Sequence, residues 1–138
     1  CISASFTFSQ TPDLQRGTIV VKVIAFRKAS GDLHLSLYNK PTGFPRDLSK
    51  RIGFKKPRIT NKSVMEVRFE DLPFGTYAIA GLHDENSSGE MDYNFIGIPK
   101  EGYCFSNDAR PVLSAPSYDS AKFKLDRKEK VVYIAMQY

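Results

Sequence analysis

The stretch Leu33 to Tyr38, LHLSLY, alternates apolar and polar residues, which places Leu33, Leu35 and Leu37 on one face of a predicted strand. A longer β-branched stretch, TIVVKVIAF, runs from Thr18 to Phe26 and also predicts a strand. The residues KASGD between the two are typical of a turn. The first part of the chain therefore favours short strands over helices.

Strand patterns continue to the end of the chain. Further strands are predicted over Ser63–Phe69, Thr76–His83, Ala121–Leu125 and Lys130–Gln137. In the first of these, Met65, Val67 and Phe69 share the apolar face, and the turn sequence DLPFG follows. In the last, Val132 and Ile134 share a face. Apolar residues at every second position are what a sheet with one buried face requires.

Helical periodicity is nearly absent, and the single candidate is a turn within Pro45–Ile52 that Asp47 is placed to cap. Short strands without regularly alternating helices are typical of antiparallel sandwiches. We therefore predict an all-β fold: a single antiparallel β-sandwich of about seven strands, with one long loop and at most a short helical turn. The 138 residues suffice for one domain with a substantial core. Residues 18–138 are assigned to this domain, and residues 1–17 to an N-terminal tether or extension.

The sequence begins at Cys1, which permits two interpretations. A mature bacterial lipoprotein starts with a lipid-modified cysteine, so Cys1 is a candidate lipid anchor; alternatively, the sequence starts at the cut end of a longer chain. The second cysteine, Cys104, is predicted to be a free buried thiol. The longest apolar stretch, Ile19–Phe26, is interrupted by Lys22 and is too short to span a bilayer.

The net charge of +5 is unevenly distributed. Residues 40–62 contain eight basic residues and one acid, whereas residues 83–108 contain six acids and one lysine. A basic segment of this kind either binds polyanions and anionic lipid or is only a solvated loop. Polyanion or anionic-lipid binding through residues 40–62 is therefore kept as an alternative function. Nucleic acid is not an expected partner, since zinc-finger spacing, a glycine-rich phosphate loop and RNA-binding aromatic motifs are all missing from the sequence.

The sequence DENSSGEMD follows the predicted strand Thr76–His83, and the spacing of its oxygen-bearing side chains indicates a metal site. It places Asp84, Asn86, Ser88 and Asp92 at the first, third, fifth and ninth positions of a calcium-binding loop, with a glycine at the sixth. The twelfth position, which normally supplies a bidentate glutamate, is a phenylalanine. We predict a Ca²⁺ ion bound by Asp84, Asn86, Ser88 and Asp92, with an Asx-rich turn that satisfies its own backbone as the alternative.

No catalytic constellation is recognisable in the sequence. The two histidines, His34 and His83, are too few for a three-histidine zinc site, and no serine lies in a nucleophile elbow. The chain is therefore predicted not to be an enzyme. The alternative is an enzyme or small-ligand-binding protein with a pocket beside the 83–108 loop, lined by His83, Glu101 and Tyr103.

Several motifs follow one another in a characteristic order. They are Gly43-Phe44-Pro45, Phe74-Gly75-Thr76-Tyr77-Ala78, His83-Asp84-Glu85-Asn86 with Gly89 and Asp92, Phe95 to Tyr103, Phe105-Ser106-Asn107 and Pro116-Ser117-Tyr118. In this order and spacing they resemble the bacterial domain-of-unknown-function family 2141, from about Thr18 to the end of the chain. Two positions depart from the family pattern: Ser88 stands where asparagine is usual, and Cys104 stands where glycine is usual.

The resemblance implies a bacterial protein with an export signal and no assigned activity, on a transthyretin-like or carboxypeptidase-regulatory-like sandwich. We therefore expect an extracytoplasmic location (periplasm, outer membrane or secreted) and a non-catalytic binding or structural role at the cell envelope. The expected partner is an envelope component or ligand of unknown identity. Contact with the membrane is expected only through a lipid on Cys1.

Overall fold

Eight strands and three short helical turns make up the regular structure of residues 15–85, 102–109 and 116–138, which the computed structural model describes. The strands are β1 (Arg16–Ile24), β2 (Asp32–Tyr38), β3 (Gly53–Lys55), β4 (Val64–Pro73), β5 (Gly75–Asp84), β6 (Gly102–Phe105), β7 (Phe123–Leu125) and β8 (Glu129–Ala135). The helical turns are 3₁₀ turns at Leu48–Lys50 and Ser106–Asp108 and the helix α1 at Tyr118–Ala121. The predicted all-β class is confirmed. Within these ranges, no helix is long and apolar enough to cross a membrane.

The strands form two sheets. Strand β1 is central in a three-stranded sheet of order β4-β1-β8, and the five-stranded sheet has the order β3-β2-β5-β6, with β7 paired to the start of β5. All these pairs are antiparallel except β1–β8, which is parallel with Val20 opposite Val131. The predicted antiparallel sandwich differs from the structure at this one pair, and the described residues contain eight strands where about seven were predicted. Strands β1 and β8 are far apart in the chain, so no tight turn fixes their relative direction.

The hydrophobic core lies between the two sheets. Its members include Leu33, Leu35 and Leu37 of β2, Val67 and Phe69 of β4, and Val132 and Ile134 of β8. These are the faces that alternation predicts. On the opposite face of β8, Val131 and Tyr133 are 40% and 61% exposed. Successive side chains of a strand point to opposite faces, which is why a period of two separates core from surface.

A second apolar cluster covers part of the outer face of the five-stranded sheet. It consists of Tyr38, Ala78, Phe105, Ala109, Tyr118 and Ala121, with Phe44 packed against them. The Phe44 ring meets Tyr38 and Tyr118 edge-on, at centroid separations of 5.2 and 5.9 Å. Strand β2 is therefore buried on both faces along most of its length, although its sequence alternates.

Three elements are missing from the sequence prediction. Strand β3 has three residues, and β6 has four and lies in the interval after Asp84 where no strand is expected. Both are too short for alternation to be recognised. The predicted strand Ala121–Leu125 is divided, because Ala121 ends the helix α1 and β7 begins at Phe123. Strand β1 begins at Arg16, so the last two residues of the expected 1–17 tether belong to the sheet.

The predicted helical turn after Pro45 is confirmed in a shorter form. The Asp47 side chain caps the 3₁₀ turn Leu48–Lys50 by accepting a hydrogen bond from the Ser49 N–H at 3.1 Å. The turn ends at Arg51, whose backbone returns to an extended conformation.

Candidate functional site

The polar residues of interest lie where β2 begins and β5 ends. The two strands pair antiparallel, with Asp32 opposite Asp84 and His34 opposite Leu82. Because successive side chains of a strand point to opposite faces, His83 and Asp84 face different sides of the sheet. The segment therefore supplies an inner group around His83 and an outer group around Asp84.

The His83 ring is completely buried on the inner face, where Phe26 packs edge-on against it. Its Nε2 lies 2.8 Å from the carbonyl oxygen of Ser30, and its Nδ1 lies 2.6 Å from the hydroxyl of Tyr138. Since a carbonyl oxygen only accepts, Nε2 carries a proton, and in the neutral ring Nδ1 accepts from the tyrosine hydroxyl. That hydroxyl also accepts from the backbone N–H of Arg27 at 3.1 Å. Both ring nitrogens of His83 are thus engaged inside the protein.

Glu85 extends this network toward the surface. Its carboxylate accepts two hydrogen bonds from the Arg27 guanidinium, from Nε at 2.6 Å and from Nη2 at 2.9 Å. The same guanidinium stacks on the Tyr138 ring, 4.5 Å from the centroid. The hydrogen bond from Arg27 lowers the pKa of Glu85, and partial burial of the carboxylate works against this effect. A bidentate pair of this kind fixes the end of β5 in place.

The outer group consists of Asp32, His34 and Asp84, and we call it the outer triad. Asp84 is fully buried, and the His34 side chain is 10% exposed. His34 Nε2 lies 3.3 Å from Asp84 Oδ2, which is within ion-pair distance, but the two groups are not aligned as a hydrogen bond. One ligand atom of each triad residue lies within 4.8 Å of the other two. The triad therefore brings one nitrogen and two carboxylate oxygens together with little access to solvent.

Aromatic and basic side chains surround the outer triad. Phe54 packs edge-on against the His34 ring at 5.7 Å, and the Arg51 guanidinium stacks on Phe54 at 3.9 Å. Arg58 Nη1 lies 3.9 Å from Asp32 Oδ1. Burial lowers the pKa of His34 and outweighs the opposing effect of the nearby carboxylates. An uncharged imidazole is thereby favoured at this position.

Among the other predicted site residues, Tyr103 lies within the described ranges, and it does not join these groups. Tyr103 packs against Phe105 on the outer face of β6, whereas His83 lies opposite Gly102 and faces inward, so His83 and Tyr103 do not line one cavity. Asn86, Ser88, Asp92 and Glu101 lie outside the described residues. Of the predicted calcium ligands the structure places Asp84, and one of its neighbours is a histidine nitrogen. Calcium binding stays a prediction.

Sequence reasoning missed Asp32 and His34 as site residues. One signal was available, because two residues that are two positions apart at the start of a strand share a face. The residue of β5 that lies beside them depends on the register of the β2–β5 pair, which neither strand encodes by itself. Arg27 and Tyr138 were missed for a similar reason, since their contact joins residues 111 positions apart.

Several motif residues of the family pattern have structural contacts. Ser106 is fully buried; its hydroxyl donates to the Ala121 carbonyl at 2.5 Å and accepts from the Ile79 N–H at 2.9 Å. The Asn107 side chain donates to the Lys122 carbonyl at 2.7 Å. The Ser106 hydrogen bonds connect β5 to the end of α1, and the Asn107 hydrogen bond connects the 3₁₀ turn to the residue after α1.

Cys104 is free and buried, as predicted. Burial raises the pKa of its thiol to about 12. A Cβ atom at Gly81, the residue opposite it on β5, would lie 2.4 Å from the Cys104 sulfur. Glycine at position 81 therefore makes room for this side chain between the sheets.

The fold and the site define a small all-β sandwich with buried polar groups at one end of its larger sheet. The family model described as "Uncharacterized protein conserved in bacteria (DUF2141)" matches residues 21–133, and the chain belongs to this family. The resemblance to family 2141 that the motifs indicate is confirmed, and the transthyretin-like relationship stays a prediction. Comparisons with curated proteins and with solved structures give no significant match.

Proposed function

We propose that this chain is an exported, non-catalytic β-sandwich module that acts by binding at the bacterial cell envelope. The main support for the non-catalytic role is that the potentially reactive side chains described below are buried. Both ring nitrogens of His83 are hydrogen-bonded, the Cys104 thiol is buried with a raised pKa, and the Ser106 hydroxyl both donates and accepts inside the protein. Acid–base and nucleophilic catalysis require a group within reach of a substrate, and these three groups are turned away from solvent.

Chemical probes test the non-catalytic part of the proposal. The native protein is treated with a fluorophosphonate and with iodoacetamide, and the modified residues are mapped by mass spectrometry. We expect no labelling of Ser106 or Cys104 in the native state, and labelling of Cys104 after unfolding, because burial withholds both groups from reagents. Stoichiometric labelling of any serine, or of Cys104, in the native protein would contradict the proposal.

Export is supported by the bacterial family and by the export signals that the motif resemblance implies. Fractionation of the native bacterium, followed with an antibody against the sandwich, tests it. We expect the protein together with periplasmic or membrane markers, and a lipid on Cys1 if it is in the membrane fraction. Recovery with cytoplasmic markers alone contradicts export.

Calcium at residues 84–92 belongs to this proposal as a stabilising ion. Strand β5 holds Asp84 in a fixed position at the start of this segment, which would pre-position one ligand. The test is a thermal melt with chelator and with millimolar calcium, on the wild type and on Asn86→Ala with Asp92→Ala. This variant keeps the outer triad intact. A wild-type midpoint that calcium does not raise, or a rise that survives the substitutions, ends the calcium hypothesis.

A second candidate function is docking on an anionic lipid surface through residues 40–62. The structure adds a specific observation, because Leu48, Ile52 and Phe54 in this segment are 54%, 46% and 37% exposed. Lys50 and Lys55 in the same segment are exposed as well. Exposed apolar side chains beside lysines are the combination that peripheral membrane segments use.

Vesicle binding distinguishes docking from a solvated loop. The protein is mixed with phosphatidylcholine vesicles that either contain or lack phosphatidylglycerol, at low and at physiological salt. Each basic residue near an anionic surface contributes about 1 kcal/mol, so we expect Lys50→Glu, Lys55→Glu and Lys56→Glu together to weaken binding at least about 100-fold. The matched control is Lys124→Glu with Lys128→Glu, two exposed lysines elsewhere in the chain. Equal binding to neutral vesicles, or binding that salt does not weaken, contradicts docking.

A further inference from the structure

The outer triad contains a buried nitrogen without a hydrogen-bond partner. Among the described residues, His34 Nε2 is the one buried side-chain nitrogen or oxygen that lacks such a partner. If Nε2 carries a proton, that proton is not aligned with Asp84. If Nε2 carries a lone pair, the lone pair faces a carboxylate oxygen that lies 3.3 Å from the nitrogen. Both states are unfavourable in a place that solvent hardly reaches. A cation between the two side chains would relieve either one.

We propose that Asp32, His34 and Asp84 form a binding site for a divalent transition-metal ion, of which zinc is the representative. The inference goes beyond the binding role proposed above and does not depend on it. The three side chains supply three ligands, and a fourth position is left for water or for a group of a bound partner. Catalytic zinc sites have three protein ligands and one open position, whereas structural sites have four protein ligands. In a non-catalytic protein the open position is one that a group of a bound partner can take.

The distances fit an ion of this size. In a tetrahedral site with bonds of about 2.0–2.1 Å, neighbouring ligand atoms are about 3.4 Å apart. The distance between His34 Nε2 and Asp84 Oδ2 is 3.3 Å. The third ligand atom, from Asp32, lies within 4.8 Å of both. Asp32 is the first residue of β2 and its side chain is 17% exposed, so the carboxylate has room to rotate toward the other two ligand atoms.

The ligand atoms select the class of metal. Calcium and magnesium prefer oxygen ligands only, whereas an imidazole nitrogen suits zinc, copper, iron and nickel. Two carboxylates carry two negative charges, which a divalent cation neutralises when the imidazole is uncharged. The site is therefore distinct in chemistry from the predicted calcium loop, although both would use Asp84.

Neighbouring groups are compatible with a bound ion. Arg58 lies near Asp32, but its side chain is 68% exposed and can turn into solvent when a cation replaces it. The Phe54 ring covers one edge of His34 and limits access of water to the ion. Shielding of this kind strengthens the attraction between the carboxylates and a cation.

Zinc binding is measured by titration calorimetry and by elemental analysis after dialysis, with cobalt(II) as a spectroscopic substitute. All proteins carry Cys1→Ser, because a free thiol is itself a zinc ligand. We expect one equivalent of zinc per chain and a rise in Tm on the order of 10 °C at about 100-fold excess over the Kd. His34→Gln and Asp84→Asn should each weaken binding at least about 100-fold, since even loss of an outer-shell contact costs 10- to 100-fold. The matched control, Asp126→Asn, changes an exposed carboxylate and should bind as the wild type does.

A second measurement uses the protein with all three ligand residues intact, so it remains informative if these variants do not fold. Nitrogen NMR of the two histidine rings is recorded with and without zinc. A shift of the His34 Nε2 signal with His83 unchanged supports the site. The proposal is overturned if the folded protein binds no transition metal, if His34→Gln binds zinc as tightly as the wild type, if zinc moves neither ring, or if calcium displaces zinc at equal concentration.

Discussion

His34 and His83 lie on the adjacent strands β2 and β5, and His83 is opposite Leu33, the residue before His34. The two rings face opposite sides of the sheet and differ in their hydrogen-bond partners. The inward-facing ring of His83 has a partner on each nitrogen, whereas the outward-facing ring of His34 lies beside two carboxylates with its Nε2 unpaired. Alternation along β2 and β5 fixes which face each ring takes. What each ring contacts on that face depends on strand register and on distant residues, which explains why the sequence marks Asp84 as a candidate ligand but not its neighbours.

The pair formed by Glu85 and Arg27 leads to a pH-dependent prediction. The pKa of Glu85 is lowered in the folded protein, so the charged carboxylate adds stability above the ordinary glutamate pKa of about 4.3. That contribution is lost as the pH falls from there through the lower pKa of the native state. We expect Glu85→Gln to destabilise the protein by about 1 kcal/mol at pH 7. The difference from the wild type should vanish in acid.

Urea unfolding of both proteins across this pH range is the measurement. Glu70→Gln is the matched control, because Glu70 makes a longer contact with Arg68 at 3.4 Å and is 67% exposed. Exposed pairs of that kind contribute little to stability. If the loss of stability in Glu85→Gln stays constant from neutral to acidic pH, the charge of Glu85 does not stabilise the protein and the prediction is wrong.

Among the elements, those with long alternating patterns were predictable and the short ones were not. Strands β2, β4 and β8 bury the alternate residues that their sequences mark as apolar. Strands β3 and β6 and the helix α1 have three or four residues each, and their conformation depends on the neighbours against which they pack. The Asp47 cap was predictable because a side-chain acceptor at that position acts locally.

Ser106 joins two such elements, and its removal has a defined cost. Ser106→Ala leaves the Ile79 N–H without its side-chain acceptor and the Ala121 carbonyl without its side-chain donor, in a fully buried position. We expect a loss of about 1–3 kcal/mol in the free energy of unfolding, since buried groups without partners carry their full desolvation penalty. Urea unfolding measures it, with Ser120→Ala as the control. The Ser120 hydroxyl donates to Ser117 at an exposed position, so its loss should stay below about 0.5 kcal/mol. Equal effects from both substitutions would refute the bridging role of Ser106.

For the molecule as a whole, the decisive feature is that β1 and β8, from distant parts of the chain, lie side by side in the smaller sheet. Val132 and Ile134 of β8 complete the same core to which Leu33, Leu35 and Ile79 contribute from the larger sheet. Each sheet thus has one apolar face that the other sheet covers, and neither sheet alone can exclude water from that face. The sequence of either strand does not predict this parallel pairing, because the apolar residues of β1 and β8 fit a parallel or an antiparallel neighbour equally well.

Because the two sheets share one core, a substitution that destabilises the smaller sheet should also destabilise the larger sheet. Ile134 is fully buried beside Val23, so Ile134→Ala should cost about 2–5 kcal/mol of stability. Tyr133→Ala on the exposed face should cost less than about 1 kcal/mol. If the sandwich unfolds as one unit, the most protected amides of β2 and β5 exchange only through global unfolding. Their native-state hydrogen exchange should then accelerate roughly 30-fold or more in Ile134→Ala, as 2 kcal/mol or more requires. Acceleration confined to β1 and β8 would mean that the two sheets open independently.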